Sequence, residues 1–439
     1  MQKNKSISIV NLSSFFKDKL ANLSYMLIEL YQILMFIKDN VFANNRKYAK
    51  VDCVNSVVAI VISFVFSIHI YSQQKYLVNP VISNYVYHDS SLIKGDDGYY
   101  YSFASSIIPR DTAIVIPYYT VSIFRSKDLL NWDYYKSAFT TDEICLDYVT
   151  EYDEEKKRNG KFPLTSTIGK NRYYPVWSPD VIRYNGKYLL FVSLHKSRED
   201  SKIAVFESKK INQDFRFVDI VVSNNILDEE AYVNSLELID PYPFIDKGKL
   251  YLFYGSFSRD MNGKYIEERA GIGFYMVQLN SKTLQKVGEP LFITDYYEGV
   301  AIIKKKGIYY LFGTNGAWKE SSYQICYARS KKLKGPYLDS SGKSISDKNA
   351  IFKPISIVNQ SNRFNGLGCM SRPIVDKEGK YWILVNGHDT YLPPIVEKKS
   401  TAERYTFLLQ LKWDNKRNPT ILSPDVLNAL KIKPVLKIK

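Results

Sequence analysis

Four carboxylic acids stand at the heads of similar short segments of the chain. They are Asp89 in YHDSSLIKGDDG, Asp180 in WSPDVIRYNG, Asp240 in IDPYPFIDKG and Glu298 in YEGVAIIKKKG. Each lies six to nine residues before a glycine that closes its segment. Like charges gathered in a small, partly dehydrated pocket cannot all ionise, so one carboxyl is held protonated. A protonated and an ionised carboxyl facing one another are what cleavage of a glycosidic bond requires. An Asp at a strand head also simply caps a turn. The shared placement of Asp89, Asp180 and Glu298 points to chemistry, whereas Asp240, in an Asp-Pro turn, reads more readily as a turn residue. The corresponding fifth segment, GLGCMSRPIVDKEG, has no acid at its start.

For these groups to meet, the chain must fold as a ring of repeats. Gly followed by alternating aromatic and aliphatic residues recurs five times: GYYYSFAS from Gly98, GKYLLFVS from Gly186, GKLYLFYGS from Gly248, GIYYLFGT from Gly307 and GKYWILVN from Gly379. Each is preceded by a strand ending in a Gly- or Asp-containing turn and followed by a further strand, such as IAVFESKKI or QICYARSKKL. Aromatic residues make up 15% of the chain, with 36 Tyr and 23 Phe, a composition that favours half-buried pleated surfaces. One such small sheet cannot bury both of its faces. Radial packing of five predicts an all-β, five-bladed β-propeller. A β-sandwich of hairpins is the alternative, and recurrence in one fixed order argues against it. The inner strand of each blade runs along the central channel, so residues at its head converge on the axis.

These residues resemble the family 43 glycoside hydrolases, five-bladed propellers with three axial acids. HDSS at His88–Ser91 is similar to the family's HDPS, whose Asp is the general base. VWSPDV at Val176–Val181 is similar to WAPDV, whose Asp orients the acid. YEGV at Tyr297–Val300 is similar to EGP or EAP, whose Glu is the general acid. Leu238–Phe257 and Arg329–Ile345 resemble segments of the arabinanase branch, and Ser122–Trp132 resembles the end of the family's first blade. The likeness spans Asn79 to Trp413. It implies single-displacement hydrolysis of arabinose- or xylose-containing glycans with inversion. Asp89 activates water, Glu298 protonates the leaving oxygen, and Asp180 keeps Glu298 protonated. Acid and base would then stand roughly 6.5–9.5 Å apart to admit water. Trp177, Tyr297 and Trp318 flank the motifs and are candidates for stacking on sugar faces, with Arg372 a candidate contact to a hydroxyl.

Ser90 and Val300 stand where the family carries Pro. Gly366–Ser371 (GLGCMS) falls where arabinanases carry a GPGHNS-like segment whose His faces an axial metal ion. Cys369 takes that place, so an axial calcium is in doubt and no metal or other cofactor is expected. A charged, Tyr-rich insert at about 140–174 precedes the Asp180 motif and is placed to shape the cleft. A carbohydrate-binding propeller without turnover and a fructosyl-active propeller are the competing classes. The latter's WMNDP-type and RDP-type motifs are absent, and retention of the acids argues against the former.

The first 75 residues read as a delivery segment. No charged residue lies between Asp52 and Lys75, and VNSVVAIVISFVFSIHIY at 54–71 is just long enough to span a bilayer, which takes about 20 residues. Arg46, Lys47 and Lys50 precede it, placing the N-terminus in the cytoplasm and the propeller outside. No small-x-small cleavage site follows, which favours a retained signal anchor over secretion after cleavage. Met26–Ile37 is apolar but carries Glu29 and reads as an interfacial helix; a start at Met35 is an alternative. The expected organisation is a cytoplasmic segment 1–53, a transmembrane helix 54–71, a propeller 76–427 and a basic tail 428–439, acting as a monomer. The net charge of +15 is concentrated at the ends: residues 1–50 carry eight Lys/Arg against three Asp/Glu, and the last twelve residues carry four Lys and no acid. No basic run is interleaved with stacking aromatics, so nucleic acid is not an expected partner. Four Cys (Cys53, Cys145, Cys326, Cys369) are too few for a disulfide scaffold, and with no CxxC pair a structural zinc site is not expected.

Overall fold

A computed structural model describes residues 76–436, apart from 106, 110–120, 140–175, 196–200, 224–237, 261, 263, 265–272, 348–349, 351–353, 359–361 and 393–402. The apolar run 54–71, Cys53, Cys145 and the insert 140–174 lie outside the described residues. Among the described residues no helix is long and apolar enough to cross a membrane.

The five marker glycines close five hairpins, and all five have positive φ. In the second, third and fourth repeats the turn has two residues: Asn185-Gly186, Lys247-Gly248 and Lys306-Gly307. Both members of each pair are left-handed, with φ of 48° and 79°, 50° and 78°, and 48° and 77°. Such turns match the right-handed twist of the strands they join, and glycine meets the second position without steric cost.

The hairpins extend into five sheets, antiparallel throughout except where the outermost strand of the fifth joins in parallel. Tyr85–Tyr87 (β1) pairs with Ile107–Pro109 (β4) beside blade one, which comprises Ile93–Lys94 (β2), Tyr100–Ala104 (β3), Ser122–Ser126 (β5) and Asp133–Ser137 (β6). Blade two is Val176–Tyr184 (β7), Lys187–His195 (β8), Ser201–Ser208 (β9) and Arg216–Ser223 (β10). Blade three is Tyr242–Asp246 (β11), Lys249–Gly255 (β12), Phe274–Leu279 (β13) and Lys286–Thr294 (β14). Blade four is Glu298–Lys305 (β15), Ile308–Asn315 (β16) and Gln324–Ser330 (β17), extended by a bridge from Arg329 to Leu338. Blade five runs outward from Phe364–Gly368 (β19) through Tyr381–Asp389 (β21), Tyr405–Trp413 (β22) and Pro419–Leu422 (β23) to Ser356–Val358 (β18), with Ile374–Val375 (β20) also on β21.

The outer strands β6, β10 and β14 were not part of the three-strand repeat read from sequence. They are less buried than the strands inside them, β14 being mostly exposed and β6 and β10 mostly half-buried.

Each middle strand is buried on both faces because another blade lies on either side. In β8, Leu190 and Val192 pack toward blade one with Tyr101, Phe103 and Ile123. Their neighbours Leu189 and Phe191 pack toward blade three with Leu250, Leu252 and Val277. The period-2 alternation thus serves two interfaces, each buried side chain stabilising by about 1.5–3 kcal/mol.

The ring closes through the first described residues. The N–H groups of Val81 and Tyr87 donate to the carbonyls of Thr406 and Arg404, both at 2.8 Å. The Asn79 side chain brackets Leu408, donating to its carbonyl at 3.0 Å and accepting from its N–H at 2.8 Å. A short helix, Pro424–Leu430 (α1), is capped by Ser423, whose Oγ accepts from the N–H of Val426. It crosses the 427/428 boundary drawn from charge. Beyond it, Ile432 accepts from Leu77 N–H and Val435 from Lys377 N–H, so part of the Lys-bearing tail lies against the propeller.

Candidate active site

Each inner strand carries a left-handed residue at one shared level, and the fifth carries a second, Gly366, three residues earlier. The five at the shared level are Asp89 (φ 56°), Ser178 (48°), Asp240 (52°), Gly299 (56°) and Cys369 (52°). Pairing registers align them: Trp177 faces Ser193 and Asp180 faces Phe191, while Glu298 faces Thr314 and Ala301 faces Phe312, with a register shift between the two pairs in each blade. This fivefold bulge turns backbone and side chains toward the axis. Non-glycine residues with such φ values are uncommon and cluster at functional sites.

Aligned this way, the four acids are not equivalent. Asp89 and Asp240 occupy the kink itself. Glu298 stands one residue before its kink, and Asp180 two residues after its own. Across the bulge these three positions match two on the partner strand, which puts Asp180 roughly 7 Å further along the inner strands than Glu298. The sequence-based expectation that Asp180 stands beside Glu298 is therefore corrected.

Around the kinks runs a continuous hydrogen-bonded arc. Ser105 Oγ donates to Asp89 Oδ2 at 2.5 Å and accepts the Ser178 N–H at 2.6 Å. Ser178 Oγ donates to Asp240 Oδ1 and lies 3.5 Å from Asp89 Oδ2. Asp240 Oδ2 accepts the Gly299 N–H at 2.8 Å, one residue from Glu298. Glu298 is buried, its Oε2 accepting from Ser256 Oγ at 2.8 Å and its Oε1 from the Tyr323 hydroxyl at 2.9 Å. At Gly299 φ is positive, and an added Cβ would stand 3.3 Å from Cys369 Sγ, pressing on the thiol.

Burial, then the charges of Glu298 and Asp89, push the Asp240 carboxyl well above the usual carboxylate range. Three carboxyls thus share one electrostatic site with Asp240 between the other two. Burial also holds His88 neutral, with its pKa lowered to about 4 despite the adjacent Asp89 charge.

Asp180 has a separate partner. Arg372 Nη2 donates to Asp180 Oδ1 at 3.3 Å and to the Pro243 carbonyl at 2.8 Å, and its guanidinium lies 4.6 Å from the Tyr242 ring centre. Burial raises the Asp180 pKa to about 6, partly offset by Arg372. Arg372 is thus engaged with the channel wall. A small axial cavity of about 50 Å³ lies between the two levels, lined by the kink residues together with Asp180, Tyr242 and Ser371.

The aromatic candidates divide. Trp177, at the position equivalent to Glu298, is 37% exposed. Trp318, in the turn after β16, meets His88 edge-on at 5.7 Å. Tyr297 is corrected to a core residue: it is 1% exposed, and a Cβ on Gly313 would stand 2.5 Å from its own Cβ. Alternation along the strand turns it away from the face that Glu298 uses.

Sequence reasoning missed Ser178, Tyr323 and Arg404 and placed Asp240 among turn residues. Alignment on the kink (His-Asp-Ser, Trp-Ser-Pro, Ile-Asp-Pro, Glu-Gly-Val, Gly-Cys-Met) was the available signal; alignment on the acids obscured it.

At the place of Cys369 the residues present do not fit a calcium ion. Cys369 Sγ lies 3.2 Å from the Tyr323 hydroxyl and 4.0 Å from Arg404 Nη1, and burial keeps the thiol neutral. Calcium takes oxygen ligands, not a protonated thiol. Two unit positive charges at 4 Å repel by about 4 kcal/mol at an effective dielectric of 20, and a divalent ion by about twice that. Among the described residues no three His, Cys, Asp or Glu side chains group as metal ligands.

A five-bladed propeller that gathers three interacting carboxyls on its axis defines a glycosidase scaffold. The chain matches the profile of Glycosyl hydrolases family 43 over residues 77–419 and belongs to that family; it is a glycoside hydrolase. It is 28% identical over 280 residues to the extracellular endo-alpha-(1->5)-L-arabinanase 1 of Bacillus subtilis, covering 60% of this chain and 71% of the relative. It is 23% identical over 319 residues to the extracellular exo-alpha-(1->5)-L-arabinofuranosidase ArbA of Cellvibrio japonicus, covering 69% and 80%. Its fold is that of the Cellvibrio cellulosa alpha-L-arabinanase complexed with arabinohexaose, with a TM-score of 0.56 at 20% identity over 80% of this chain and 99% of that one.

Proposed function

We propose that the protein hydrolyses α-L-arabinofuranosyl linkages of arabinan-type glycans by single displacement with inversion. The observation that carries this reading is the arc Asp89–Ser178–Asp240–Gly299, which ends one residue from Glu298. The named activities of the relatives supply the sugar.

Asp89 acts as the base that takes a proton from water. Glu298, presented by Tyr323 and Ser256, acts as the acid that protonates the leaving oxygen. Asp240 takes the tuning role that the sequence assigned to Asp180. A proton shared within this trio resists leaving Glu298, because each further ionisation adds a like charge to a buried site. Asp180 with Arg372 braces the channel one level further along. Trp177 and Trp318 offer faces to the sugar. The propeller acts outside the cytoplasm on an anchor at 54–71, a reading supported by the basic flank and by relatives that are extracellular.

The test is incubation of the full-length chain with linear α-1,5-arabinan, arabino-oligosaccharides, an aryl-arabinofuranoside and an aryl-xyloside, followed by proton NMR. Arabinose-containing products that appear first as the β-anomer are expected. First appearance of the α-anomer would exclude inversion. Absence of cleavage across the panel by folded protein would exclude the substrate assignment.

A further inference from the structure

Arg404 has no part in the scheme above, yet its side chain is among the largest that are fully buried, at 1% exposure. It stands just ahead of β22. Its Nη2 donates to the Asn386 carbonyl at 2.8 Å, and its Nη1 reaches Cys369 Sγ at 4.0 Å. The guanidinium carbon lies 4.8 Å from the centre of the Tyr323 ring. Its Nε is buried without a hydrogen-bond partner among the described residues.

A buried cation with spare donors is expensive unless a nearby negative charge offsets it. A Met or Leu would fill this space without that cost. The negative charge on hand is the carboxyl cluster: Arg404 interacts electrostatically with Asp89, with Cys369 and Tyr323 between it and the other acids. The remaining titratable neighbours are His88 and His388. Burial lowers both imidazoles, which keeps them neutral near pH 7, so neither can replace the guanidinium charge.

The geometry points to Arg404 as the built-in cation of the axial site, a positioning residue whose charge supports the Asp89 carboxylate and whose face seats Tyr323 against Glu298, so that the site works with no bound metal ion. The inference rests on the hydrolase reading with Asp89 as base. It also accounts for Cys369: a small neutral thiol fits beside a guanidinium where a metal-facing imidazole would compete with it for the same charge.

The experiment has two arms on the full-length protein. Elemental mass spectrometry of protein purified without chelator is expected to find well under one metal ion per chain. Chelation should leave activity and melting temperature unchanged, and added calcium should raise neither. Stoichiometric calcium whose removal abolishes activity would overturn the inference.

The second arm compares Arg404→Gln and Arg404→Lys. In the neutral variant the acid limb of the kcat/KM profile should move up by about one pH unit, about tenfold in rate on that limb, with KM little changed. The Lys variant, which keeps the charge, should keep the limb. A folded Gln variant with an unmoved limb, or a Lys variant that moves as far as Gln, would overturn it. If the wild type cleaves nothing, the hydrolase reading fails alone. Carbon-13 titration of Asp89 in wild type and Arg404→Gln then still decides the inference, with an upward move expected and no move refuting it. Should Arg404→Gln not fold, the chelation arm and Arg404→Lys carry the decision, since a charge-preserving variant that shifts the limb overturns it equally.

Discussion

Asp240 and Asp180 are both Asp residues at the head of an inner strand, in adjacent blades, and both are forced toward the protonated form by burial. They end up in different chemistry. Asp240 sits on the left-handed kink, is bonded to Ser178 and Gly299, and feels Glu298 and Asp89. Asp180 lies two residues past its kink and meets a cation, Arg372. The same side chain is tied to the reacting carboxyls in one blade and braces the channel in the next. Two residues of displacement along a strand decide which. Proximity in a motif is therefore a poor guide here, and position relative to the backbone bulge is a good one.

The largest effects should come from the acids at the kink level. Asp89→Ala should lose about 10²–10⁴-fold in kcat on every substrate, because no group is left to take the proton from water. Glu298→Ala should lose a similar factor on natural glycans but much less on activated aryl-glycosides, whose leaving groups need little protonation. Steady-state rates on the two substrate types, with circular dichroism to confirm folding, make the check. Unchanged turnover in either folded variant would dissolve the distinction between the two levels.

The middle-sized effects separate the two Asp residues directly. Asp240→Asn removes one member of the coupled trio, so Glu298 gives up its proton more easily and the basic limb of the pH–rate profile should move to lower pH. Asp180→Asn should leave both limbs in place and change stability instead. The Asp180 pKa of about 6 lies above the unfolded value of ~3.9, so the folded state binds the extra proton. Wild-type stability should thus fall as pH rises from about 4 through 6, by roughly 3 kcal/mol at most, and the Asn variant should lack that fall. Denaturant midpoints across this range test it. A moved rate profile in Asp180→Asn, with none in Asp240→Asn, would reverse the assignment.

Much of this molecule was legible in its sequence. Five blades could be counted because each middle strand is apolar on both faces and each is opened by a glycine turn, two local signals that repeat. Asp89 and Glu298 could be named because each stands at the head of a repeat and in a short motif, HDSS and YEGV, that resembles the family's. The outer strands stayed hidden because they are less buried and none is led by a marker glycine. Arg404 stayed hidden because a lone arginine before a strand looks like any surface charge until burial is known. Asp240 was set aside because Asp-Pro is a common turn, and the turn and the site are here the same residue.

The smallest effects concern the aromatic residues that border the two levels, and they divide by readout. Trp177 occupies the place in blade two that Glu298 occupies in blade four, and it is the partly exposed one of the pair Trp177 and Tyr297. An indole face covered by a sugar is worth about 1–2 kcal/mol at ~25 cal/mol per Å² of apolar area removed from water. Trp177→Ala should therefore raise KM about five- to thirtyfold, with kcat and melting temperature nearly unchanged. Tyr297→Ala, one residue from the acid, should do the opposite. It should leave KM alone and lower stability by about 3–5 kcal/mol, as truncation of a buried aromatic does. Chain position would predict the larger kinetic effect at Tyr297, whereas strand alternation predicts it at Trp177. Measured KM values and melting curves for the two variants decide between neighbourhood in sequence and orientation on the strand.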